Sequence, residues 1–110
     1  MDFNEYQDLA GKTAIYPKIG SYGLLYPVLG LAGEAGEVCE KVKKLFRDRG
    51  GIISEEFLAS IKNELGDVLW YLAAICRELN LSLDDIAKEN LEKLLSRQNR
   101  DALRGDGDFR

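Results

Sequence analysis

Leu24–Phe46, "LLYPVLGLAGEAGEVCEKVKKLF", is the stretch whose reading decides the fold, with Gly33–Val38, "GEAGEV", at its centre. Apolar residues recur along it at helical spacing, yet Glu34 and Glu37 stand beside the stripe that should be buried. Further along, Asn63–Val68, "NELGDV", repeats the arrangement with Glu64 and Asp67. On a helical wheel with Glu34 at zero, Leu45 falls at about 20°, Val38 about 40°, Leu31 about 60°, Val42 about 80° and Ala35 about 100°. With Glu64 at zero, Ile75, Val68, Ile61, Leu72 and Leu65 take the same five places. Glu37 and Asp67 match each other, about 60° to the other side of their zero residues. Two helices thus carry one design, an apolar stripe with two carboxylates hanging from the same edge.

Outward from these helices the chain reads as helix and connector only. Asp2 and Glu5 have capping-box spacing, and Phe3, Tyr6, Leu9 and Ala10 share a side, which predicts a first helix over about residues 3–13. Pro17 and Gly20 mark "IYPKIGSYG" as a connector. The second helix is predicted over about 22–47, with Pro27 moving its start toward residue 26 and Gly50-Gly51 stopping it. Ser54 with Glu55 and Glu56 opens a third helix to about Leu79, and Ser82 with Asp85 opens a fourth to about Gln98, with Ile86, Leu91 and Leu94 on neighbouring turns. Residues 1–98 form one all-helical domain in this reading, and 99–110 a flexible or partner-supported tail. Gly105 and Gly107 alternate with Asp there, but the ligand spacing and closing Glu of a calcium loop are missing. The fold class is all-α: an antiparallel helical bundle with two central acidic helices, completed by oligomerisation.

Composition removes several functions. With 110 residues and 45 % hydrophobic content, one small domain is expected, and a subunit partner would add burial. A formal charge of −4 gives no field to gather a nucleic-acid backbone. No signal peptide or spanning helix is legible, so a cytoplasmic, non-membrane protein is expected. Histidine is absent, which excludes imidazole acid/base chemistry and imidazole-dependent zinc sites. Cys39 and Cys76 form no CxxC pair and read as small buried thiols.

Antiparallel packing through the Gly50-Gly51 turn would gather Glu34, Glu37, Glu64 and Asp67. Gly36 and Gly66 leave room there for a close helix or ligand. Four carboxylates without a cation disfavour one another's ionised form, whereas a hard divalent cation reverses that. Oxygen-only ligands suit Mg2+ or Mn2+, and such ions commonly share phosphate ligands, so hydrolysis at phosphorus is the implied chemistry. A solvated acidic rim paired with Lys41 or Lys44 is the alternative. Lys41 and Tyr71 hold matching places facing the acidic edge. Trp70 lies off its stripe, favouring a subunit interface over a base pocket, and Phe3, Tyr6 and Tyr26 are further candidates for base stacking. Arg47, Arg49 and Arg97 are expected in solvent unless the fold turns them inward.

"EAGE" at Glu34–Glu37 followed by "ELGD" at Glu64–Asp67 resembles the acidic signature of the MazG-like nucleotide pyrophosphohydrolases, an all-helical family of nucleoside-triphosphate pyrophosphatases. "NLEKLLSR", Asn90–Arg97, resembles the family's Asn-x-x-Lys element, and the early "EYQ" with Thr13 and the late "RGDGDFR" look like the flanks of its short members. The resemblance implies hydrolysis of an NTP or dNTP between the α and β phosphates, releasing monophosphate and pyrophosphate with Mg2+. Glu34, Glu37, Glu64 and Asp67 would be its catalytic, metal-binding carboxylates. Asn90 and Lys93 would contact the substrate phosphates or steady the acidic cluster, and Lys41 and Tyr71, from their places facing the acidic edge, are further substrate-binding candidates. A homodimer or homotetramer is implied, as is a nucleotide rather than a nucleic acid or membrane as partner. A non-catalytic nucleotide or metal-binding module and a helical interaction protein are the competing readings.

Overall fold

A computed structural model describes residues 1–19 and 23–110. Four helices follow in order, α1 (Phe3–Gly11), α2 (Leu25–Arg49), α3 (Glu55–Glu78) and α4 (Leu83–Asn99), with no strand among the described residues. The all-α class is therefore as expected from the sequence.

The punctuation read from the sequence forms where it was expected. Asp2 accepts from the Glu5 N–H at 2.8 Å, Ser54 from the Phe57 N–H at 3.1 Å, and Ser82 from the Asp85 N–H at 3.2 Å. Each bond satisfies a donor that the first helical turn would otherwise leave orphaned. Pro27 lies in the first turn of α2, where its missing N–H costs no helical bond, and it is fully buried. Gly50 closes α2 at φ 60° and Gly51 follows at φ 79°, left-handed conformations open to glycine at little cost. The Gly51 N–H donates to the Leu45 carbonyl at 3.1 Å.

After that turn α3 runs back along α2, so the two acidic helices pack together. Their surroundings differ. α3 also packs against α1 and α4, whereas α2 meets only α3 among the described elements. The closed core is small, with Ala73, Cys76 and Leu83 buried where α1, α3 and α4 converge, and Tyr6 and Leu69 packed on it. Gln7 stitches the junction, donating to the Leu81 carbonyl and accepting from the Leu83 N–H, both at 2.9 Å.

The predicted stripes are only partly covered. Leu45 is buried, and Leu31, Val38, Ile61, Val68 and Ile75 are half-buried. Ala35, Val42, Leu65 and Leu72 remain exposed on both helices. The wheel explains the division: residues at about 20–60° face the partner helix, and those at about 80–100° fall outside a two-helix seam. Ile86, Leu91 and Leu94 are likewise exposed on α4. The chain's radius of gyration is 17.1 Å, against about 13 Å for a compact domain of similar length. Cys76 is buried as expected, and burial raises its thiol pKa. Cys39 is exposed, a correction that follows from its place at about 140° on the α2 wheel, beyond the covered edge.

Candidate metal centre and substrate groove

The seam between α2 and α3 brings Glu34, Glu64 and Asp67 together, each able to offer one carboxylate oxygen within 4.8 Å of the others. Glu34 and Glu64 are half-buried and Asp67 is exposed. Glu37 stands outside this converging trio and faces solvent, yet its charge is felt at Glu34. Lys41 crosses the seam and places Nζ 3.6 Å from Glu64 Oε1.

The electrostatics are those of a site short of positive charge. The Glu34 carboxyl is held above its ordinary range, first by burial, then by a hydrogen bond shared with Glu64 and by the charges of Asp67, Glu64 and Glu37. One ammonium does not balance this many carboxylates, and a divalent cation would. The donor set contains oxygen alone, the preference of Mg2+ or Mn2+. The residues present therefore fit such an ion.

Beside the acids, Thr13, Glu34, Asp67, Trp70 and Tyr71 line a cleft of about 360 Å3. Trp70 is fixed here by its indole Nε1–H, which donates to Thr13 Oγ1 at 2.8 Å, while that hydroxyl donates to the Ala10 carbonyl at 2.7 Å. The Trp70 ring meets Tyr71 edge-on at 5.1 Å and Tyr16 at 6.1 Å, and Tyr16 stacks on Tyr26 at 5.2 Å. The Tyr16 hydroxyl donates to Glu78. Trp70 thus joins an aromatic group at the end of the acidic seam within its own chain. Burial raises the Tyr71 hydroxyl pKa, with Tyr26, Glu34 and Asp67 adding to it, and burial followed by the Asp67 charge raises that of Tyr6.

Thr13 and Tyr16 carry no periodic signal, because they lie past the end of α1, and their contribution follows from the path of the connector. Gly30 was another silent position. A Cβ built there would lie 2.1 Å from the Tyr71 ring, so its bare backbone seats the aromatic. At Gly36 and Gly66 a Cβ would meet nothing within 4 Å, so no helix among the described residues approaches the glycines singled out for close contact.

Asn90 and Lys93 do not line the cleft that Glu34 and Asp67 share. They line a cleft of about 310 Å3 on α4 with Ile86 and Glu89, and α4 does not contact α2. Lys93 Nζ lies 3.3 Å from Asp108, which lowers the Asp108 pKa. Arg97 is buried, contrary to the solvent position expected from sequence. Its Nη2 donates to the Asp108 carbonyl at 2.8 Å and the Gly107 carbonyl at 3.5 Å, using the tail as its partner. Arg47 pairs with Asp48 at the surface.

The fold and the seam define a helical protein with a carboxylate-only cluster suited to a hard divalent cation. The chain belongs to the MazG nucleotide pyrophosphohydrolase family, whose domain matches residues 26–101 and so spans both acidic helices and α4. Over 114 aligned positions it is 44 % identical to the Gene 37 protein of Mycobacterium phage L5, with both chains covered in full. No solved structure matches it. No helix of the described residues is long and apolar enough to cross a membrane.

Proposed function

We propose that this chain hydrolyses a nucleoside triphosphate, NTP or dNTP, at the bond between the α and β phosphates, using Mg2+ with Mn2+ as a substitute. The observation that carries this reading is the convergence of Glu34, Glu64 and Asp67 on the seam of a MazG-family helix pair. In the reaction a water oxygen bonds to one phosphorus of the α–β bridge, and the bridging oxygen leaves with the other. The products are nucleoside monophosphate and pyrophosphate. A divalent cation bound here supplies charge for the phosphoryl oxygens and acidifies water.

The chain's own groups do the rest. Glu34, Glu64 and Asp67 hold the ion, Glu37 completes the acidic edge, and one of the four takes the water's proton. Lys41 orients Glu64 and offers charge to substrate, while Tyr71 forms part of the wall against which the nucleotide lies. Asn90 and Lys93 contact phosphate oxygens, which requires α4 to reach the seam through assembly of subunits. A homodimer or homotetramer fits the exposed outer edges of both stripes and the expanded dimensions of the chain. The reaction is assigned to the cytoplasm.

A panel of NTPs and dNTPs with Mg2+ or Mn2+, read for both products, tests this directly. Monophosphate with pyrophosphate is expected; diphosphate with free phosphate would move cleavage to the terminal bond and overturn the reading. Metal-dependent nucleotide binding without product would identify a binding module instead.

A further inference from the structure

The seam does not end at the carboxylates. Toward the Gly50-Gly51 turn it opens into a cleft of about 610 Å3, whose walls include Lys41, Lys44 and Arg49 with Phe57 and Ser60. On their wheels Lys41, Ser60 and Phe57 fall within about 40° of Glu34 or Glu64, so this cleft and the acids belong to one groove. Asp48 and Glu56 also border it, but Asp48 is already paired with Arg47 at 2.8 Å. With Lys41 likewise drawn to Glu64, the cleft presents Lys44 and Arg49 against Glu56. Lys41 is common to both sites, lining the cleft while it pairs with Glu64. Four residues, a rise of about 6 Å, separate Glu64 from Ser60.

The opposite end of the groove is chemically different. Among the described residues no cation lines the cleft of Thr13, Glu34, Asp67, Trp70 and Tyr71, whose own charged groups are two carboxylates. Aromatic surface there suits a flat, weakly charged group. The groove thus runs from aromatic, through acidic, to basic.

We infer that this polarity sets the direction in which a nucleoside triphosphate lies, with its β and γ phosphates over Lys41, Lys44 and Ser60, so that pyrophosphate departs through the basic cleft. The inference rests on the proposed hydrolysis and assigns Lys44 and Ser60 as phosphate-binding residues. Lysine serves here as a point charge, and the Ser60 hydroxyl as a donor to a phosphoryl oxygen.

Binding of inorganic pyrophosphate with Mg2+, read by calorimetry, requires no turnover and separates this inference from the activity. Lys44→Ala should weaken pyrophosphate binding roughly tenfold, the scale of one charge-assisted hydrogen bond, and Lys44→Arg should restore most of it. In the hydrolysis assay the same variant should raise the inhibition constant for pyrophosphate and leave that for monophosphate unchanged. Lys44 is exposed, so circular dichroism should show an intact fold. Unchanged pyrophosphate binding in Lys44→Ala and Ser60→Ala, or a shift confined to monophosphate, would overturn the inference. A wild-type protein that binds pyrophosphate in a Lys44-dependent way without turnover would uphold Lys44 as a phosphate-binding residue and defeat the activity together with the departure route.

Discussion

α2 and α3 carry the same pattern, residue for residue on their wheels, yet they do different work. α3 is a hub that touches every other helix and holds two of the three converging carboxylates. α2 touches α3 alone and contributes Glu34, while Glu37 points to solvent. Identical amphipathic periodicity specifies a face to be buried, but the number of neighbours that cover it depends on where the chain goes next. α3 is followed by a tight turn into α4 and overlaid by α1. α2 has Tyr16 stacked on Tyr26 near its start, and its outer edge stays open.

This asymmetry can be tested first at the acids. Glu64→Gln or Asp67→Asn should lower pyrophosphate release by more than about 100-fold, since loss of a ligand exceeds the roughly 10–100-fold cost of losing a ligand's support. Glu37→Gln should cost about tenfold or less, with helicity retained in all three. Equal losses at Glu37 and Asp67 would show that the matched wheel positions act alike and that their different burial is immaterial.

Glycines on α2 give the next largest contrast. Gly30→Ala drives a methyl into the Tyr71 ring and should destabilise the protein by about 1–3 kcal/mol. Gly36→Ala meets open space and should instead gain about 0.8–1 kcal/mol from helix propensity. Thermal or urea unfolding reads both. A loss at Gly36 would reveal that another molecule lies against that face.

The third test concerns pH. Because the folded-state pKa of Glu34 is raised, the native protein holds that proton more tightly than the unfolded chain. Its contribution is fully present below the ordinary glutamate pKa and is lost as pH rises through the raised folded value. Metal-free wild type should therefore lose this stability across the mildly acidic range relative to Glu34→Gln, and Mg2+ or Mn2+ should restore it only in wild type. Parallel melting curves against pH for the two proteins, without metal, would remove the electrostatic account of the cluster.

The smallest effect is expected at the aromatic end. Trp70→Phe removes the bond to Thr13 and should cost about 0.5–1.5 kcal/mol, with a drop in nucleotide affinity larger than that in pyrophosphate affinity.

Helix number, caps and stops were legible because they are local. Asp2, Ser54 and Ser82 have their backbone N–H partners three residues away, and Gly50-Gly51 ends a helix wherever that helix packs. The acidic edge was legible for a related reason: a fixed wheel position and a short turn leave an antiparallel pair little freedom in register. Neither holds for Tyr16, Thr13 or Gly30, whose roles exist only once a connector and a neighbouring ring arrive, nor for Arg97, whose burial depends on a tail returning to α4.

The sequence by itself determined four helices, their boundaries to within a few residues, and two matched carboxylate edges, because periodicity and capping act over one or two turns. Tertiary structure decided which three of the four acids converge, which stripe residues are covered, and that the groove is aromatic at one end and basic at the other. Those outcomes depend on the mutual placement of elements distant in the chain, which hydrophobic periodicity does not encode.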